Sequence, residues 1–126
     1  MQSRLLFIAV ALVLGAILPI QAAVNARLAK TMGSSEISTF VPFGLGTVVL
    51  FVYLLLTKQL NWHDAPIRQS PWWIWIGGVL GTFFVAGIVL VVPLLGSVMA
   101  FTLVLAGQML VAIILNQFGW LGMTVR

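Results

Sequence analysis

The sequence contains no cysteine. That removes any disulfide framework, thiolate nucleophile or cysteine-based metal site, and it leaves the redox compartment unreadable. Charge is almost as scarce. Two acids, six Lys/Arg and one His serve all 126 residues, so only 6% of the chain is charged, against about 25% in soluble domains. So few charges cannot cover a water-facing surface. The one histidine, His63, stands beside Asp64 with no third group to orient it, so the pair reads as solvated rather than catalytic. Nucleophile elbow, metal-ligand spacing and phosphate loop are all missing. No enzyme activity and no cofactor are expected. The net charge of +4 is spread thinly along the chain. It forms neither the basic stripe that nucleic acid needs nor the adjacent cluster that anionic lipid attracts.

What the chain has is apolar surface: 62% hydrophobic residues and a mean hydropathy of +1.19. A hydrocarbon core of about 30 Å takes roughly 20 helical residues to cross. Four windows fit, Leu5–Val24, Ile37–Leu56, Trp72–Val92 and Ser97–Asn116, and all eight Asp, Glu, Lys and Arg residues fall outside them. The runs lack the alternation of barrel strands, so helices are the only plausible spans. The expectation is an all-α polytopic membrane protein, a single transmembrane domain over residues 1–126 in contact with the lipid bilayer. Met1–Arg4 followed by an apolar run imitates a secretory signal. The run to Val24 is longer than a usual signal core and three spans follow it, so it reads as a retained helix.

The links differ in character. Asn25–Glu36 is polar, and Gly33, Ser34 and Ser35 offer a turn and an N-cap for the second span. Thr57–Pro71 is the longest and holds two prolines, which forbid a continuous helix. Pro93–Gly96 is short enough to force a tight antiparallel hairpin. Arg4, Lys58, Arg68 and Arg126 lie on the side of the termini, with Arg27 and Lys30 opposite. That excess favours cytoplasmic termini. So small a bias is also what a chain inserting in both orientations shows. Trp62, Trp72, Trp73, Trp75, Trp120 and Tyr53 map to the side of the termini, where indole rings suit the headgroup level.

A few polar and small residues inside the spans carry the functional reading. Gln108 lies near the middle of span four, where lipid satisfies none of its donors or acceptors. It must face other helices or a wet cavity, as interhelical glue or as a contact to substrate or water. In span one, Gln21 and Asn25 are four apart on one helical face, just after Pro19, which removes a backbone hydrogen bond and can kink the helix. Kinks with free carbonyls and amides recur at transporter binding sites. On this reading Gln21 leans towards a functional role, whereas Asn25 lies near enough to the boundary to be merely wet. Gly77, Gly78 and Gly81 make a small-residue face suited to helix packing, within a subunit or between subunits. Glu36, in the first turn of span two, suits the helix dipole. Its alternative role is an ion or proton site, as the one acid beside the membrane. No span holds an acidic, basic or histidine side chain, so a buried carboxylate that drives transport has no candidate there.

Taken in order, the motifs resemble a known family. Gly15-x-x-x-Pro19-x-Gln21-x-x-x-Asn25-x-x-Leu28 comes first, then Phe43-x-x-Gly46-Thr47 and Pro71-Trp72-Trp73-x-Trp75-x-Gly77-Gly78-x-x-Gly81. Pro93-x-x-Gly96, Gly107-Gln108 and Phe118-Gly119-Trp120-x-Gly122 complete the series. The chain resembles the YdcZ-like small inner-membrane proteins of the drug/metabolite transporter superfamily. The resemblance implies a bacterial inner-membrane transporter or exporter of small molecules. It also implies five helices per unit, with units acting singly, in pairs or as fused antiparallel duplicates. Two departures stand out. Only four spans are present, which implies a truncated unit or a four-helix variant. Asn116-Gln117 stands where an Asp-His-like pair is expected, which weakens a charge-based mechanism at that end.

Together these readings favour a small-molecule transporter working as an antiparallel dimer, with an identical chain or a close homologue as partner. Gln21, Asn25 and Gln108 are its expected substrate-binding residues. A passive channel built from the same dimer and a non-transporting accessory subunit are the competing readings.

Overall fold

The computed structural model describes residues 2–60 and 70–122. Four α-helices make up nearly all of it: α1 (Gln2–Met32), α2 (Ser35–Leu56), α3 (Gly77–Leu95) and α4 (Ser97–Phe118). A 3₁₀ segment, Trp72–Ile76, leads directly into α3, and a short 3₁₀ turn, Trp120–Gly122, follows α4. No strand occurs among the described residues. Among the described residues four helical stretches are long and apolar enough to cross a membrane: Arg4–Met32, Ser35–Leu56, Trp72–Leu95 and Ser97–Phe118. The expected all-α, four-span architecture is present. His63 and Asp64, with Trp62, Arg68 and Arg126, lie outside the described residues.

The helix ends depart from the windows read off the apolar runs. α1 continues through the polar stretch after Val24 and stops only at Met32. Backbone groups near a bilayer need internal partners, and Lys30 in the last turn suits the helix dipole. The link between spans one and two is therefore no more than a tight turn. Gly33 adopts φ 67°, open to glycine at little cost, and Ser34 caps α2. The third span begins as 3₁₀ rather than α-helix, because Pro71 sets an extended N-cap before the tryptophans. Pro93 lies inside α3, and the break comes at Gly96, with φ 77° and ψ 154°. That combination is essentially glycine-only.

The chain divides into two compact units, residues 1–90 and 91–126. In the first, α1 and α2 pack as a helical hairpin. The buried residues of those two helices are Ala22, Asn25, Ser38 and Thr39, so the seam lies in the half nearest the turn. α3 contributes buried Ile88 and Val89 to this unit. α2 ends in a Schellman motif: Gln59 N donates to the Leu54 carbonyl and Lys58 N to the Leu55 carbonyl, with Lys58 itself at φ 54°. In the second unit Gly119 closes α4 in the left-handed conformation and donates to the Leu115 carbonyl. The rings of Phe118 and Trp120 then stack with centroids 5.4 Å apart. Most large apolar side chains stay exposed, among them Phe40, Leu56, Phe83 and Val98. This is the surface expected where the surrounding solvent is lipid.

Candidate functional site

Away from the turn the first hairpin opens into a cleft of about 270 Å³, lined by Gln21 of α1 and by Pro42, Phe43, Gly46, Thr47 and Leu50 of α2. The α2 residues share one face by helical spacing: Pro42, Gly46 and Leu50 recur every four residues, as do Phe43 and Thr47. They occupy the middle of α2, as far from the helix ends as the sequence allows. Two prolines flank the same level. Pro19 brings no N–H to the Gly15 carbonyl, and Pro42 brings none to the Ser38 carbonyl. Pro19 lies within an uninterrupted α1 and Pro42 within an uninterrupted α2.

The polar groups of the hairpin divide into spent and unspent donors. Thr47 Oγ1 donates to the Phe43 carbonyl at 2.8 Å, Ser38 Oγ to the Ser35 carbonyl at 2.8 Å, and Thr39 Oγ1 to the same carbonyl at 3.0 Å. Each hydroxyl thus returns its proton to its own helix, a common way for a membrane helix to hide polar side chains. The two carboxamides do otherwise. Gln21 is exposed and lines the cleft. Asn25, one turn further along the same helix, is 3% exposed, and its Nδ2 is buried without a hydrogen-bond partner. Asn25 is therefore no wetted boundary residue. Its side chain is sealed inside the first unit, which its position in the sequence does not reveal. Such a group costs about 1–3 kcal/mol.

Phe43 joins this cleft to α3. A Cβ added at Gly81 would meet the Phe43 ring at 3.7 Å, an ordinary van der Waals contact. Gly77 and Gly78 face open space, with nothing within 4 Å of where a methyl would stand. Of the three glycines on that face, one meets a neighbouring helix of its own chain and two do not.

Glu36 is held in the cap of α2. Ser34 Oγ accepts from Ile37 N at 3.1 Å and donates to Glu36 Oε2 at 2.7 Å. The carboxylate is exposed and lies in the first helical turn, where it complements the dipole. This geometry fits the capping role. In the second unit Gln108 lies at the centre of α4 with its side chain exposed.

The α2 half of the cleft falls outside the site residues expected from the sequence, although Phe43, Gly46 and Thr47 belong to the motif series. The readable signal is the four-residue spacing of Pro42 with Gly46 and of Phe43 with Thr47 in the middle of α2.

A family model described as "Putative inner membrane exporter, YdcZ" matches residues 6–126. The chain belongs to the YdcZ family. The match spans all four helices, and with their apolar character it makes this YdcZ-family chain a multi-pass protein of the inner membrane. No curated protein and no solved structure matches it.

Proposed function

We propose that this YdcZ-family protein moves small molecules across the inner membrane, with the α1–α2 cleft as its solute site. One observation carries the reading: unspent hydrogen-bonding groups flank a hollow at the middle of an apolar hairpin. Intramembrane polar groups are costly and mark pathways, and binding near the bilayer midplane between repeats is the rule among secondary transporters. Gln21 contacts the solute at the cleft. Asn25 offers its Nδ2 when the seam loosens, since the closed seam leaves that N–H without an acceptor. Gln108, exposed at the centre of α4 in the second unit, is a separate candidate contact to solute.

The working unit is an antiparallel dimer. A cleft on one hairpin is open on its lipid side, and a second, inverted copy encloses it. The free faces of Gly77 and Gly78 allow close approach of another helix. Rocking of one copy against the other then exposes the site to either side in turn.

Flux of radiolabelled solutes into proteoliposomes tests the reading. Saturable uptake that supports counterflow is expected, and Gln21→Leu or Gln108→Leu abolishes it while preserving assembly. Flux that does not saturate identifies a channel instead. Full activity in both variants removes the site assignment.

A further inference from the structure

The cleft does not end at Leu50. A second hollow of about 350 Å³ runs along α2, lined by Thr47, Leu50, Phe51, Leu54 and Leu60. The two hollows share Thr47 and Leu50, so they adjoin along α2 as two parts of a furrow. Its ends differ in chemistry. Gln21 stands at one end, with the unpartnered Asn25 amide one helical turn beyond it. The other end is aliphatic and aromatic, and it closes where the Lys58 reversal brings Leu60 back beside Leu54. Among the described residues no charged side chain lines either hollow. A cation or carboxylate entering would shed water and gain no counter-charge. An uncharged amide, alcohol or ketone loses far less, and carboxamides restore both its donor and its acceptor bonds.

We infer that the furrow takes an uncharged amphipath, with an alkyl or aryl body along α2 and a hydrogen-bonding head at Gln21. This deepens the transport proposal and rests on its reading of the α1–α2 cleft as the solute site. The head is held first by the exposed Gln21 carboxamide. As the seam opens it gains the Asn25 N–H, a donor that has nothing to lose by the exchange. Selection acts on the head, by the absence of any charge to receive an ion, and the apolar body supplies the affinity.

Photolabelling tests this without requiring turnover. Two probes share an octyl chain that carries a diazirine, one with an acetamide head and one with a trimethylammonium head. Each is irradiated with the full-length protein in phosphatidylcholine nanodiscs, and labelled peptides are read by mass spectrometry. The acetamide probe is expected to label residues 47–60 more than the ammonium probe, by about fivefold or more, the scale of one hydrogen bond. Gln21→Leu lowers acetamide labelling about fivefold, by the loss of that hydrogen bond, and Gln21→Glu raises ammonium labelling. Gln21 is exposed, so both variants keep the fold, and Asn25→Leu serves as an independent second variant that lowers acetamide labelling. Equal labelling by both probes, or labelling indifferent to Gln21→Leu, overturns the inference and leaves a furrow filled by lipid chains. Selective labelling without saturable flux in proteoliposomes defeats the transport reading alone. Saturable flux with unselective labelling defeats only the substrate class.

Discussion

Burying the Asn25 carboxamide while Nδ2 lacks a partner works against the stability of the closed hairpin. An apolar residue of similar shape removes that penalty. Asn25→Leu is expected to stabilise the protein by about 1 kcal/mol and to reduce transport, an opposition that purely structural glue does not produce. Thermal unfolding in detergent and flux in proteoliposomes measure the two sides. Gly96 is the contrasting case. Its φ of 77° with ψ of 154° excludes a side chain on backbone grounds alone, since no atom lies within 4 Å of a Cβ there. Gly96→Ala should lower stability by about 1–3 kcal/mol, read as a fall in the unfolding midpoint. At this scale the sequence is a partial guide. Gln21 and Asn25 are legible as a pair from their spacing, but not which of the two is sealed. That depends on which side of α1 meets α2, and helical periodicity in an almost wholly apolar chain does not choose a side.

Among the elements, the helices are legible in the sequence and their ends are not. Four apolar runs suffice to place the spans, because a bilayer admits little else. The ends depend on local bonding instead. α1 runs on to Met32 through residues too polar for the hydrocarbon core, and the tryptophans at 72–75 enter α3 through a 3₁₀ turn. Ser34 and Glu36 are readable as a cap, since a Ser followed by an acid in the first turn satisfies orphan N–H groups. The bonds found there make the prediction sharp. Ser34→Ala should destabilise α2 by about 1 kcal/mol, measured by thermal unfolding. Glu36→Gln should leave flux intact, since the carboxylate accepts from the Ser34 hydroxyl in the cap of α2. Loss of flux in Glu36→Gln at unchanged stability would assign it an ion or proton site. α2 is also the element that sequence reasoning undervalues. Pro42, Phe43, Gly46 and Thr47 supply most of the cleft, yet none is charged or strongly polar. Their role comes from sharing one face beside Gln21.

At the scale of the whole molecule, family membership and the four spans agree on an inner-membrane protein. The exposed apolar helices and the one-sided cleft are the features on which the proposed dimer rests. Charge supplies the missing term. Arg4, Lys58, Arg68 and Arg126 against Arg27 and Lys30 is the small bias that a chain inserting in both orientations also shows, and such a chain provides its own inverted partner. The most direct test is topology in cells, with a reporter active only in the cytoplasm and another active only outside, each fused after Arg126. Signal from both reporters is the predicted result and supports a dimer of oppositely inserted copies. Signal from the cytoplasmic reporter alone, in cells that make no oppositely inserted homologue, would contradict it.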